Sequence, residues 1–323
     1  MTTTNTTDRS RRRVFTILGV ALGILLVAMG AMLAIGNFAT ETTQTSQHEA
    51  QAVELDLRAS GSIEIVANPN TDTITLERTT RDAWGTLTTE ERVVDDILII
   101  SSSCGVWSNL FIAVCDASYR LEVPTTTEVS GNGPNSPVTI TGLTSSIDIT
   151  TSNGEIIVEG VEGLLQLHTS NGDVQVTDAT SLGDLIQIET DNGSVRLTNV
   201  TADGVVAETN NGEIVVSGAT GDLQLISSNG RIEIAAANSA TIETDTSNGD
   251  IVMDLATAPD RVVAETSNGA IEIVVPADAR AYAIDASTSN GTADFSAVAT
   301  DPDSPFTIDA RSSNGDISIK RSS

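Results

Sequence analysis

The residue types that most often carry catalysis are scarce in this chain. Histidine occurs only at His48 and His168 among 323 residues. A Ser–His–Asp triad or a zinc site needs histidine together with partners that converge on one point. His48 lies in a polar stretch and His168 in a segment of alternating residues, and no such partner set accompanies either one. The histidines therefore predict neither a catalytic site nor a metal site.

The two cysteines, Cys104 and Cys115, form an even pair separated by a short loop. In an oxidising compartment, an even number of cysteines indicates a disulfide. Closing a loop of about 12 residues stabilises a fold by roughly 3 kcal/mol in the chain-entropy description. The pair therefore predicts a structural disulfide, with free buried thiols and a metal or redox role as alternatives.

Acidic residues could do chemistry if the fold brings them together. Carboxylate oxygens bind calcium, and two carboxylates about 5–9.5 Å apart can hydrolyse a glycosidic bond. The nonapeptide repeat of calcium-binding β-rolls is absent, and aromatic side chains for a sugar cleft are few. We interpret the acidic positions as a solvated face and predict no cofactor, with calcium and a glycan-active β-helix enzyme as alternatives. The outward-facing candidates are Asp148, Glu189, Glu208, Asp245 and Glu265.

These carboxylates belong to an internal repeat marked by nine Asn-Gly dipeptides at spacings of 18 to 24 residues. An aliphatic residue stands six positions before each Asn, and Thr or Ser stands two before. The positions three and five after the Asn are apolar throughout. The dipeptides, which we predict to form a structural turn ladder, are Asn153-Gly154, Asn171-Gly172, Asn192-Gly193, Asn211-Gly212, Asn229-Gly230, Asn248-Gly249, Asn268-Gly269, Asn290-Gly291 and Asn314-Gly315.

Each repeat unit indicates two short strands joined at Asn-Gly. Inward positions lie two, four and six residues before the Asn but three and five after it, so the strand period of two changes parity there. Asn and Gly tolerate left-handed backbone, which favours a turn. A β-hairpin and a β-solenoid both fit this parity. Nine hairpins would need about 18 strands, more than open sheets normally hold. We therefore predict an all-β fold, a single β-solenoid (β-helix) with rungs of about 19–20 residues.

The segment before the solenoid has a different character. Residues 1–13 contain Arg11–Arg13, and the apolar stretch Val14–Ile35 that follows has no ionisable side chain. At about 1.5 Å per residue it spans roughly 33 Å, enough for a bilayer core. The basic flank predicts that the N-terminus is cytoplasmic. We predict a cytoplasmic tail over 1–13, one transmembrane α-helix over 14–36 and a stalk linker over 37–52. A cleaved signal peptide is the alternative.

The rest of the chain should then lie outside the cell, as the C-terminal domain of a single-pass cell-membrane protein. We predict irregular N-terminal rungs or a cap over 53–141, because terminal repeats are atypical. This region holds both cysteines together with Trp84 and Trp107. Regular Asn-Gly repeats follow over 142–323.

Composition restricts the partners. The 44 Asp and Glu residues against 16 Lys and Arg give a net charge of −28. Binding to phosphates needs clustered basic residues, so no nucleic acid partner is predicted. Aromatic residues make up 3% of the chain, but the hydrophobic fraction of 39% is too high for a disordered acidic chain. Thin aliphatic layers are the expected core.

The Thr-Ser-Asn-Gly-x-Ile-x-Ile units, with the Leu-Glu-Val-Pro strand at 121–124 and Ile-Val-Val-Pro at 273–276, resemble the putative-adhesin β-strand-repeat family of bacterial and archaeal envelopes. The resemblance covers about residues 53–320. It implies a membrane-anchored, non-catalytic, adhesin-like surface protein and supplies no catalytic residue. The expected partners are the membrane and envelope glycans or surface proteins. An accessory role in envelope-stress or signalling systems, acting through the membrane helix, is the alternative.

Overall fold

The structure is a computed structural model that describes residues 22–27, 30, 40–82, 87–105, 115–133 and 135–322. Residues 22–27 and 30 are helical. Within these ranges, no helix is long and apolar enough to cross a membrane. Most of the transmembrane helix predicted over 14–36 lies outside the described residues, as do the tail over 1–13, Trp84 and Trp107.

The described chain forms one continuous system of 25 paired β-strands. Two strands, β13 and β14, each run from one arm of the solenoid into the next. The strands are β1 Thr40–His48, β2 Ala52–Leu57, β3 Ile63–Ala67, β4 Ile74–Asp82, β5 Leu87–Val94, β6 Ile97–Cys104, β7 Cys115–Val123, β8 Glu128–Asn132, β9 Val138–Thr141, β10 Ile147–Thr151, β11 Ile156–Glu159, β12 Leu165–Thr169, β13 Val174–Thr190, β14 Val195–Thr209, β15 Ile214–Ser217, β16 Thr220–Ser227, β17 Ile232–Ala237, β18 Thr241–Thr246, β19 Ile251–Leu255, β20 Arg261–Thr266, β21 Ile271–Val275, β22 Ala283–Asn290, β23 Ala293–Asp294, β24 Thr307–Asn314 and β25 Ile317–Arg321.

The Asn-Gly turns are corners between two parallel sheets. β10 pairs in parallel with β8 and β12, whereas β11 pairs with β9 and β13. Equivalent residues lie opposite each other, as Ile147 does to Leu165. The two arms of one unit therefore pair with neighbouring turns of the coil and not with each other. This pairing confirms the β-solenoid and excludes the hairpin alternative.

The two sheets enclose a thin aliphatic interior. Alternate residues of each arm point inward, so that Ile232 and Ile234 are 0% and 1% exposed. Full burial of such a side chain contributes about 1.5–3 kcal/mol. One strand from each sheet completes a rung, and the rungs stack about 4.8 Å apart. Stacking of many thin layers thus replaces the aromatic core that the composition lacks.

The N-terminal end of the stack is closed by antiparallel strands. β5 pairs with β6, β4 with β7, and β1 with β4, all antiparallel. The first rung is not at the end, because β2 lies between β6 and β8, and β3 lies between β7 and β9. The stalk predicted over 37–52 was wrong at Thr40–His48, which forms β1. Its threonines favour extended backbone, and the edge of β4 supplies a partner strand.

The C-terminal end also departs from chain order. β24 and β25, the last strands of the chain, lie between β20 and β21 on one side and β22 and β23 on the other. The chain passes over the position of one rung, forms β22 and β23, and then returns to fill the gap. The last two Asn-Gly spacings, 22 and 24 residues, are the longest because their connections pass this extra rung.

Candidate functional site

The corner asparagines form a continuous ladder along one exposed edge of the rod. Each Nδ2 donates to the Oδ1 of the asparagine in the neighbouring rung at 2.8–2.9 Å, as Asn171 does to Asn153. At the C-terminal end the ladder follows the order in space, so Asn314 bonds Asn268 and Asn290 bonds Asn314. The amides are therefore engaged in joining rungs.

A second ladder, buried behind the first, explains the column of Thr and Ser. Thr169 Oγ1 donates to the Gly154 carbonyl at 3.1 Å and accepts from the Gly172 N–H at 3.1 Å. Thr190 and Thr209 repeat both bonds in their own rungs. A buried hydroxyl without partners would cost about 1–3 kcal/mol. Each of these hydroxyls therefore ties two successive corners together.

The corner glycines are required for space. A Cβ on Gly172 would lie 1.9 Å from the Gly154 carbonyl oxygen, and one on Gly212 would lie 1.7 Å from the Gly193 oxygen. The nine predicted Asn-Gly pairs contain no residue with left-handed φ. The expectation that left-handed backbone makes the turn was wrong. Successive corners stack at the spacing of paired strands, and this leaves no room for a side chain.

The asparagine ladder begins one rung earlier than the sequence indicated. Asn153 Nδ2 donates to Asn135 Oδ1 at 2.7 Å, and Asn135 lies between β8 and β9 in the region predicted to be irregular. The Asn-Gly pattern does not include this residue, because Ser136 follows it. The aliphatic columns would have found it, since Val129 and Val138 stand at the expected distances.

The predicted disulfide site lies in the N-terminal cap. Cys104 at the end of β6 is joined to Cys115 at the start of β7. The bond links the two sheets at the rung that the antiparallel strands cover. Its position gives it a structural role, because it ties together the two arms of the last parallel rung.

The structure brings His48 into a polar cluster that the sequence did not indicate. His48 Nε2 lies 3.0 Å from Ser46 Oγ and 3.4 Å from Glu91 Oε2, and Arg78 pairs with Glu91. Ser46 Oγ also donates to Glu91 Oε2 at 2.8 Å. In a catalytic triad the carboxylate contacts the ring nitrogen opposite the one that faces the serine. Here both contact the same nitrogen, so the cluster joins β1 and β4 to β5 without forming a triad.

The outward carboxylates remain spread along one face. Strand register places Glu189 beside Glu208 and Asp245 beside Glu265, whereas Asp148 stands two positions earlier in its arm. His168 belongs to the same column, with Nδ1 3.4 Å from Glu189 Oε2. Among the described residues, no group of three or more His, Cys, Asp or Glu side chains could hold a metal ion.

A shallow polar groove, here called the C-terminal groove, crosses this face near the end of the stack. Arg311 lies 3.0 Å from Glu265 and 2.9 Å from Asp285. Partial burial, together with Glu265 and Glu243, raises the pKa of Asp245. Hydroxyl groups and mixed charges suit hydrogen bonding to a polar ligand, but no aromatic ring lines the groove. Its lining includes Asp245, Glu265, Arg311, Ser247, Ser267, Ser287, Ser289 and Ser313.

Stacked Asn, Thr and Gly corners around an aliphatic interior define a repeat protein of the parallel β-solenoid class. The sequence profile of the family described as Toastrack DUF4097 matches residues 39–320. The chain therefore belongs to the Toastrack DUF4097 family, and the resemblance to putative-adhesin repeat proteins is confirmed at the level of the family.

Three solved structures illustrate the similarity. A putative adhesin from Bacteroides fragilis is 15% identical, with a TM-score of 0.46 over 66% of this chain and 97% of that one. A putative adhesin from Parabacteroides merdae is 11% identical, with a TM-score of 0.37 over 88% and 97%. A putative cell adhesion protein from Clostridium sporogenes is 10% identical, with a TM-score of 0.23 over 88% and 100%. No curated protein gives a significant match.

Proposed function

We propose that the chain is a membrane-anchored, non-catalytic surface protein that presents its solenoid outside the cell as an adhesin-like rod. One observation carries the proposal: an apolar stretch, Val14–Ile35, lies directly after Arg11–Arg13 and shortly before the solenoid. Such a stretch can span a bilayer, and its basic flank is retained in the cytoplasm. The solenoid then lies on the opposite side of the membrane.

The disulfide supports this location. The bond between Cys104 and Cys115 joins two described strands, and disulfides persist mainly in oxidising compartments outside the cytoplasm. A chain whose only cysteine pair is bonded is therefore suited to the cell exterior.

The distribution of polar groups supports display over catalysis. The repeated Asn and Thr side chains and the Gly backbone groups are engaged in hydrogen bonds at the corners and between rungs. In the C-terminal groove, Arg311 engages Glu265, and the groove is open and without aromatic rings. This leaves two broad outward faces rich in hydroxyl and carboxylate groups. Such faces can hydrogen-bond envelope glycans or surface proteins without any cofactor.

The membrane topology can be tested on intact cells that express the full chain with one peptide tag at each terminus. External protease should remove the C-terminal tag and leave the N-terminal tag intact, and the protein should stay with the membranes after an alkaline wash. Replacing Arg11–Arg13 with glutamates is the matched control, because it removes the orienting charge and should reduce protease access to the C-terminal tag. Protection of the C-terminal tag in the wild-type chain, or release by the wash, would contradict the proposal.

A further inference from the structure

The two ends of the solenoid are built differently. At the N-terminal end, antiparallel strands cover the last parallel rung. At the C-terminal end, β22 pairs only with β24, and β23 pairs only with β25. Apart from one bridge between Tyr282 and Thr300, no described residue pairs with the outer edge of this rung. The rod therefore ends in an open parallel edge, here called the tip edge, formed by β22.

The tip edge lacks the features that normally prevent strand addition. Natural edge strands carry lysine, proline or bulges, whereas β22 reads Ala-Ile-Asp-Ala-Ser-Thr-Ser-Asn. Its one charged residue, Asp285, is already paired with Arg311 at 2.9 Å. The connection between β23 and β24 forms backbone hydrogen bonds with the start of the edge, where Tyr282 N–H donates to the Ala299 carbonyl at 3.1 Å and Asp301 N–H donates to the Tyr282 carbonyl at 2.9 Å.

The direction of the free backbone groups follows from one hydrogen bond. The Ala283 N–H donates to the Phe306 carbonyl at 2.9 Å, on the side of β24. Successive residues of a strand point their N–H and C=O groups to opposite sides. Ala283, Asp285 and Ser287 therefore face β24, and the groups of Ile284, Ala286 and Thr288 face the open edge. These three residues offer a regular row of donors and acceptors.

Apolar side chains are also incompletely covered at the tip. Ile284, Ala286 and Phe295 are only half-buried, although their counterparts inside the stack are fully buried. An open groove beside them is lined by Phe295, Ile284 and Ile308, among other residues. An added strand would cover this apolar surface and satisfy the backbone groups together.

Charge indicates that the tip is where two copies can approach each other. Residues 121–260 contain 21 Asp and Glu against Arg196 and Arg231, a net charge of 2 − 21 = −19. Residues 261–323 contain 9 acidic and 5 basic residues, a net charge of 5 − 9 = −4. Repulsion between two copies is therefore weaker when they meet at their C-terminal ends than when they meet along the middle of the rods.

We propose that the tip edge is a self-association site, at which β22 pairs antiparallel with β22 of a second copy. Centring the two-fold axis on Ala286 places Ile284 opposite Thr288 of the second copy. The backbone N–H and C=O groups of Ile284, Ala286 and Thr288 then form about six hydrogen bonds with the same groups of the second copy. On the outer face Asp285 lies opposite Ser287 of the second copy, so no like charges meet.

The tip edge is better matched by the tip edge of a second copy than by the N-terminal end of a second copy. The opposite end of the rod offers β1, which has no aliphatic side chain, and β5, in which the exposed Val93 and Val94 follow the charged run Glu90, Glu91 and Arg92. Pairing of two tips has two-fold symmetry, so it uses up both edges and produces a dimer. Head-to-tail pairing leaves one edge free on each copy and produces a filament.

The biological meaning of this dimer rests on the proposed function. Pairing at the tips aligns two rods end to end, so their N-terminal segments lie at opposite ends. If both segments are anchored, the anchors lie in two facing membranes, and the rod is a self-recognising adhesin. A contact of one strand edge is small and therefore weak for one pair, but many copies on a membrane strengthen it through multivalency.

The test uses the full-length chain, purified in detergent, and sedimentation equilibrium over a range of concentrations. The wild-type chain should show a reversible monomer–dimer equilibrium. Ala286→Pro removes an N–H on the open side while keeping the bonds to β24, so a folded monomer is expected. Ser287→Asp places like charges opposite each other and should weaken the dimer several-fold, whereas Ser287→Lys should strengthen it.

Thr150→Asp is the matched control, because Thr150 occupies the column of Ser287 in a rung that is paired on both sides. It should leave the dimer unchanged. A wild-type monomer at every concentration, a filament, or a dimer unaffected by Ala286→Pro would overturn the proposal. A dimer that forms while the topology experiment fails would keep the tip contact and remove only its role between membranes. A chain that has the expected membrane orientation but stays monomeric would keep the proposed function and rule out the tip contact.

Discussion

The middle of the solenoid and its C-terminal tip use the same sequence columns with different numbers of neighbours. Ile242 and Thr209 lie in rungs that are paired on both sides and are 1% and 4% exposed. Ile284 and Thr288 occupy corresponding columns at the tip, where each is half-buried. A repeat column therefore determines where a side chain points, and the number of adjacent rungs determines how much its burial stabilises the fold.

The largest expected difference between these regions concerns a charge in the interior. Ile242→Asp should lower the free energy of unfolding by several kcal/mol, because an isolated carboxylate would be fully buried. Ile284→Asp, the matched change at the tip, should cost only about 1–2 kcal/mol because water reaches that position. Urea denaturation followed by circular dichroism measures both. Equal losses at the two positions would show that the interior is as well buried at the tip as in the middle of the solenoid.

Removing a hydroxyl should have the next largest effect. Thr209→Val deletes an Oγ1 that bonds the Gly193 carbonyl and the Gly212 N–H. Because both partners stay buried, we expect a loss of about 2–3 kcal/mol. At the tip, Thr288 Oγ1 donates to the Gly315 carbonyl at 2.9 Å in a half-buried position, so Thr288→Val should cost about 1 kcal/mol or less. The ratio of the two losses in unfolding free energy, measured by urea denaturation, tests how much the second neighbouring rung contributes.

The exposed asparagine ladder should contribute less for each residue. Asn211→Ala removes the bonds to Asn192 and from Asn229, and we expect a loss of about 1 kcal/mol. Asn290, at the tip, bonds only Asn314 within the ladder, so Asn290→Ala should cost less still. A loss at position 290 that equals the loss at 211, measured by the same denaturation, would indicate that the ladder acts as one unit and not rung by rung.

The smallest effect concerns pH. Because the pKa of Asp245 is raised in the folded state by partial burial and by Glu265 and Glu243, the folded state holds this proton more strongly than the unfolded chain. The stability that this group contributes is present below the ordinary aspartate pKa of 3.8 and is lost as the pH rises through the pKa of the folded state. Asp245→Asn should therefore raise stability at neutral pH but not in acid. Asp148→Asn controls for net charge in thermal melts.

The regular part of the fold could be predicted because its information is local. A period of two that changes parity at each Asn-Gly fixes which residues face inward, and these residues include Ile147 and Ile156, both buried. The order of rungs at the ends could not be obtained in this way, since the period does not encode which strands are neighbours. One signal was available: Ala293 and Phe295 replace the usual aliphatics in the rung that proves to be terminal.

Among the candidate sites, the corners could be predicted from local patterns, whereas contacts between rungs and between distant strands could not. The Asn-Gly column marks the corners, but the need for glycine comes from a carbonyl of the adjacent rung, and stacking distances are not visible in one sequence. The contact of His48 with Glu91 depends on antiparallel strands distant in the chain. No local pattern connects those two residues.

The reversed order of the last rungs has a consequence for biosynthesis. A ribosome releases residues 283–294 before residues 307–321, yet the earlier pair of strands has no parallel partner until the later pair has inserted beside it. Stepwise growth of the stack behind the emerging chain therefore stops at β21. The outermost rung is assembled only when synthesis is nearly complete, so a prematurely terminated product lacks a finished end.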